Sequence, residues 1–180
     1  MPEPGADQIV NVFNRCFAGA GQWHTRLVGG APEPFYEPGE GDAGSQILFT
    51  LDYAASALHE VAHWCVAGEA RRKLPDYGYW YAPDGRTEIQ QQEFERVEVA
   101  PQALEWIFAE SCGLSFRVSA DNLQAGLGAS DTFRDNIWRR VQDLCGRGLS
   151  ERAGIFASAL AAQFDCGNPL DASRYCRENI

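Results

Sequence analysis

The spacing of apolar residues along the chain predicts mainly helices. Apolar side chains recur every three or four positions over residues 7–17, a pattern typical of an amphipathic helix. A second helix is predicted over residues 54–65, with Asp52 as its N-cap and Gly68 as its stop. Four later helices are predicted, over residues 88–97, 101–111, 131–145 and 150–164.

Extended structure is predicted at only two places. Residues 47–50, Ile-Leu-Phe-Thr, are good strand formers, and the aromatic run within residues 76–86 precedes a Pro-Asp-Gly turn signal. Residues 29–44 hold three prolines and five glycines, so an irregular loop is expected there. The fold class that follows is α+β, a helix-dominated single domain over residues 1–180 with a small β element and one metal-binding helix.

Composition narrows the range of partners. The formal net charge of -10 argues against direct nucleic-acid binding and favours a cationic or locally basic partner. Apolar runs are only a few residues long, so no membrane span is expected. The N-terminus lacks the features of a secretory signal, which predicts a cytoplasmic protein. The six cysteines form no CxxC pair and are expected to be mostly buried, reduced thiols.

The clearest chemistry lies in the pattern HExxH, formed by His59, Glu60 and His63 with two intervening residues. Residues four apart on a helix project from one face, so both imidazoles can reach one metal ion while Glu60 lies beside it. The alternative is that both histidines are hydrogen-bonded core or surface groups. An alanine-rich helix is a poor place to bury unpaired polar groups, which favours the metal.

A third protein ligand is expected to be a carboxylate, since the chain has only one other histidine, His24. Glu95, Glu98 and Glu105 stand among apolar residues and are the candidates. Glu98 is favoured because valines flank it, whereas Glu95 stands next to an arginine. For each of these acids the alternative is a solvated helix face.

Two histidines and one carboxylate leave open positions on a metal ion. That ligand set suits iron in oxygenases and zinc in peptidases equally well. In a zinc metallopeptidase Glu60 would be the general base that activates water. A closed structural site normally has four protein ligands, often cysteines, and no such cluster is visible. Spacing alone leaves the oxygenase and the peptidase open.

Several sequence blocks are far more specific than HExxH. They are HEVAHWCVAG from residue 59, ARR from 70, YGYWY from 77, PDGR from 83, FE from 94, VEV from 97 and PQAL from 101. These blocks resemble the bacterial elongation factor P hydroxylase family. The similarity continues more weakly through residues 13–26 and 121–123, and little is recognised beyond Ser130.

The resemblance implies an iron-dependent hydroxylase of the monooxygenase type, with Fe(II) as cofactor and dioxygen as cosubstrate. Its implied substrate is a lysine of elongation factor P that already carries a β-lysyl group. The implied metal ligands are His59, His63 and Glu98, with Glu60 acting beside the metal. Zinc peptidase chemistry remains the alternative function.

Aromatic side chains offer a place for the cationic substrate that the resemblance implies. Tyr79, Trp80 and Tyr81, together with Tyr77, could line a pocket for its alkyl stem and ammonium groups. The alternative is that these rings simply alternate across a half-buried strand.

Overall fold

Helices dominate the fold, as predicted. The computed structural model describes residues 3–78, 85–120 and 128–180. In these ranges no helix combines the length and the apolar character that a membrane span requires. Within them the helices are α1 (Ala6–Phe17), α2 (Ala54–Val66), α3 (Glu88–Cys112), α4 (Asp131–Arg147) and α5 (Glu151–Phe164). The strands are β1 (Thr25–Ala31), β2 (Phe35–Glu37) and β3 (Ser45–Thr50). The α+β class predicted from the sequence is confirmed.

The three strands form one mixed sheet with β3 in the middle. β1 pairs with β3 in parallel, and β2 pairs with β3 antiparallel, so that Leu27 and Tyr36 both lie opposite Ile47. All three of these side chains are buried. Only β3 was predicted, and the loop expected over residues 29–44 was wrong in part. β2 is three residues long and β1 contains two glycines, so each depends on pairing with β3 rather than on its own composition.

The helix α2 carries the HExxH motif close to its predicted bounds. Its N-cap is Tyr53 and its C-cap is Ala67, each one residue inside the predicted Asp52 and Gly68. α1, α4 and α5 also lie within two residues of the predicted ranges at each end.

The last turn of α2 is held by two arginines from outside the helix. Arg72 Nη1 and Arg152 Nη2 both donate to the carbonyl oxygen of Ala67, at 2.6 and 2.8 Å. Arg152 also donates to the carbonyl of Cys65, and its guanidinium lies 4.6 Å from the ring centroid of Trp64. Positive charge at a helix C-terminus is stabilising, so α5 anchors the end of the motif helix.

α3 is one continuous helix, whereas two helices separated near Pro101 were predicted. Proline cannot donate to the carbonyl of Val97, and inside a helix it costs about 3 kcal/mol. Residues 102–109 are all buried, and each large apolar side chain among them contributes about 1.5–3 kcal/mol. Burial of this segment therefore outweighs the local cost of the proline.

Residues 75–78 form a short 3-10 turn rather than the start of the predicted strand. Asp76 and Tyr77 have φ angles of 46° and 57°, in the left-handed region. The turn is tied to β2, because Asp76 Oδ1 accepts from the Tyr36 amide at 2.8 Å and the Tyr77 ring stacks on Tyr36 at 4.3 Å. Residues 79–84 lie outside the described residues, and so do the predicted substrate-binding residues Tyr79, Trp80 and Tyr81.

All six cysteines are free thiols. Cys65 and Cys112 are buried, Cys176 is exposed, and the other three are partly exposed. The expectation that most would be buried was wrong, because the helices α1, α4 and the segment after α5 place their cysteines near the surface rather than in the core.

Candidate metal centre

Three side chains from two helices meet at one point. His59 and His63 project from α2, and Glu98 projects from the middle of α3. The two Nε2 atoms lie 3.1 Å apart, His63 Nε2 is 3.2 Å from Glu98 Oε1, and His59 Nε2 is 3.6 Å from Glu98 Oε2. Ligand atoms at about 2.0–2.2 Å from one ion lie about 3–3.5 Å from each other. These three donor groups, whose ligand atoms all lie within 4.8 Å, have the spacing of a metal site.

The electrostatics of this group also suit a cation. Burial by itself would raise the pKa of Glu98, but the charge and hydrogen bond of His63 and the charge of His59 lower it to about 2. Burial would lower the pKa of His59, but the charge and hydrogen bond of Glu105, followed by the charges of Glu98 and Glu60, raise it to about 10. The carboxylates around His59 therefore make this place favourable for positive charge. A divalent ion fits the same place, because two imidazoles and a carboxylate are a common donor set.

Glu105, considered from the sequence as a ligand, lies instead behind His59. Its Oε2 is 2.7 Å from His59 Nδ1, the ring nitrogen that does not face Glu98. Sequence reasoning missed this role. The spacing of seven residues from Glu98 indicates a place on the same face of a helix, but it does not indicate a contact with His59.

Gln102 is a polar residue near Glu98 on α3 that was not among the candidates predicted from the sequence. It is fully buried, and its side-chain amide exchanges hydrogen bonds with the backbone of Ser119, at 2.6 and 3.0 Å. Gln102 Nε2 also lies 3.4 Å from Glu98 Oε2. α3 therefore supplies the carboxylate and a neighbour that restrains it.

The remaining predicted residues fall into different places. Glu60 follows His59 on α2; burial raises its pKa, and the charges of both histidines oppose that rise. Glu95 is not in the group. Its two oxygens accept from the amide and hydroxyl of Ser130, at 3.0 and 2.6 Å, and so hold the N-terminus of α4. His24 lies just before β1, where its carbonyl accepts from the Ser45 amide at 2.9 Å.

A cavity of about 380 Å³ adjoins the histidine pair on the side of His63. Its walls come from the end of α2, the segment that follows it and the face of α3 around the proline; the described residues that line it are His63, Val66, Ala67, Gly68, Glu69, Ala70, Arg71, Val97 and Pro101. The cavity gives room for a chain of atoms next to the candidate centre.

Similarity to known proteins over most of the chain shows the family to which it belongs. The family model described as elongation factor P hydroxylase matches residues 12–175. The chain belongs to this family. The elongation factor P lysine hydroxylase of Haemophilus influenzae is 42% identical over 170 residues, which cover 94% of each chain. The protein is therefore an enzyme of the hydroxylase type, and the family resemblance predicted from the sequence is confirmed.

The match also corrects the predicted limit of the resemblance near Ser130, since it continues through α4 and α5. Residues of this C-terminal region contact both helices of the candidate centre. Arg152 of α5 anchors the motif helix, and the Tyr175 ring packs edge-on against Trp106 of α3 at 5.3 Å. The C-terminal third thus supports both helices of the candidate centre.

Proposed function

We propose that the protein hydroxylates elongation factor P on a lysine that already carries a β-lysyl group, as an iron(II)- and dioxygen-dependent monooxygenase. The observation that carries this proposal is the grouping of His59, His63 and Glu98 within 4.8 Å, in a member of the elongation factor P hydroxylase family. The similar protein of Haemophilus influenzae is named as a lysine hydroxylase of that factor.

In this proposal the three residues hold the ion and leave positions open for reaction. Iron(II), when bound, supplies the dioxygen chemistry that no side chain can provide. The chain supplies the surroundings. Glu98 is 2% exposed, so the site is screened from bulk water on the α3 side. Glu60, which follows His59 on α2, would orient a neighbouring polar group rather than act as a ligand.

The shape and charge of the protein are compatible with a long cationic substrate. The cavity beside His63 has a volume within the range of about 300–1,000 Å³ that is usual for ligand sites. Val66, Val97 and Pro101 give it apolar walls that suit an alkyl stem. The net charge of -10 favours the approach of a cationic group. The roles of Tyr79, Trp80 and Tyr81, the cytoplasmic location and the single-domain organisation stay predictions.

The direct test is transfer of oxygen to the substrate. Iron-loaded protein incubated with β-lysylated elongation factor P, isotopically labelled dioxygen and a two-electron reductant should place one labelled oxygen atom on the modified lysine, while the second oxygen atom leaves as water. Mass spectrometry of the proteolysed factor locates the label, and labelled water with ordinary dioxygen is the matched control. Zinc-loaded protein and anaerobic samples should give no product. A cleaved backbone with water-derived oxygen at the new carboxyl terminus, formed with or without dioxygen, would support the zinc peptidase instead.

A substitution at Glu60 separates the same two chemistries. In a peptidase, Glu60→Gln removes the base that activates water, a role worth about 10²–10⁴ in rate. In the proposed hydroxylase, Glu60 acts only on neighbouring groups, so Glu60→Gln should retain iron and lose only part of the activity. Iron content and initial rates of hydroxylation measure the two effects. Glu33→Gln, an exposed change between β1 and β2 and outside the cavity beside His63, is the control.

A further inference from the structure

The middle of α3 carries on its inner face three polar side chains in a strongly buried environment. Glu98, Gln102 and Glu105 are 2%, 0% and 8% exposed. They are spaced by four and three residues, so they follow one face of the helix. A buried polar side chain that lacks a partner costs about 1–3 kcal/mol, so each of these three side chains needs a partner. Glu98 belongs to the candidate centre, and Gln102 is tied to Ser119.

We infer that Glu105 is a positioning residue for the metal site, which fixes the tautomer and the orientation of His59. This inference rests on the metal site of the proposed function. Glu105 Oε2 lies 2.7 Å from His59 Nδ1, the length of a strong charge-assisted hydrogen bond. A carboxylate only accepts, so Nδ1 carries the proton that it receives.

A proton on Nδ1 leaves Nε2 as the nitrogen that can ligate a metal ion. Nε2 is also the atom that faces the candidate centre, 3.1 Å from His63 Nε2 and 3.6 Å from Glu98 Oε2. The carboxylate therefore selects the ligating nitrogen and holds the ring plane. A metal-bound histidine whose second nitrogen donates to a carboxylate is more basic and better oriented, and loss of such a partner costs about 10–100-fold in metal affinity.

Two other roles for Glu105 are less consistent with the geometry. As a metal ligand it would need to face Nε2, but it lies on the Nδ1 side of the ring. As a purely structural link between α2 and α3 it would stabilise the fold without affecting which nitrogen binds. The experiment must therefore read the tautomer of His59 and not only stability or turnover.

The test compares Glu105→Ala and Glu105→Gln with Glu110→Ala. Glu110 lies on the same helix and pairs with Arg174 at 3.2 Å, away from the candidate centre. Glu110→Ala therefore removes one ion pair from α3, as Glu105→Ala does, without changing the neighbours of His59. Zinc is a suitable probe because it is diamagnetic. Competition with a chelator gives its affinity, and nitrogen-15 NMR of labelled histidine reports the tautomer of each ring.

Wild-type protein should bind zinc through His59 Nε2 with a proton on Nδ1. Glu105→Ala should lower zinc affinity by about 10–100-fold and give His59 a mixed tautomer signal. Glu105→Gln keeps an acceptor and the side-chain volume, so it should fold and show a smaller loss, while Glu110→Ala should match the wild type. A Glu105→Gln or Glu105→Ala protein with unchanged affinity and tautomer would overturn the inference. If wild-type protein binds neither zinc nor iron, the metal site of the proposed function fails first.

Discussion

Replacing His63 by alanine or glutamine is expected to leave a protein that no longer retains a metal ion. His63 supplies one of only three proposed ligands, and its Nε2 lies 3.2 Å from the Glu98 carboxylate. Loss of an outer partner already costs about 10–100-fold in affinity, so loss of a ligand should exceed ~100-fold. Elemental analysis after purification and a chelator titration measure the loss, and hydroxylation should disappear with the metal.

The two substitutions differ in what they do to the fold. His63→Ala leaves the buried Glu98 without one of its two imidazole partners, which should lower thermal stability. His63→Gln can still donate to Glu98, so its melting temperature should stay closer to the wild type. The control is His24→Gln, because His24 lies before β1 and outside the ligand group. Full metal occupancy in either His63 variant, or metal loss in His24→Gln, would refute the assignment.

Most of what could be predicted about the site follows from the spacing of residues within one helix. The histidines of α2 are four residues apart, so any helix brings them to one face regardless of the rest of the chain. Glu98 was favoured because its neighbours are apolar, and the structure places it beside both imidazoles. That it binds the metal stays a prediction.

Elements that depend on distant partners could not be predicted. β2 is only three residues long, β1 contains two glycines, and both form through pairing with β3. The unbroken α3 needed the burial of residues 102–109 to offset Pro101, and that burial is a property of the packed protein. Glu105 received its role from a histidine 46 residues away. Before the two helices meet, nothing in the sequence separates such an acid from a ligand.

Glu95 and Glu98 show this limit most directly, because they lie one turn apart on α3 and were judged by their neighbours alone. Arg96 suggested that Glu95 is a surface residue. In the structure Arg96 pairs with Glu93, and Glu95 accepts two hydrogen bonds from Ser130, 35 residues away. Glu95 is therefore a structural acid and Glu98 a candidate ligand.

These positions predict opposite phenotypes for two neighbouring substitutions. Glu98→Ala should fold and lose the metal by more than ~100-fold, because among the described residues it removes the one carboxylate within 3.6 Å of both imidazoles. Glu95→Ala should keep the metal but lose about 1–3 kcal/mol of stability, because the amide and hydroxyl of Ser130 lose their acceptor at the start of α4. Metal content and thermal unfolding measured on both variants give a two-way comparison. If Glu95→Ala strips the metal while Glu98→Ala retains it, the third ligand has been assigned to the wrong turn of α3. If both variants retain it, the carboxylate ligand comes from outside this pair.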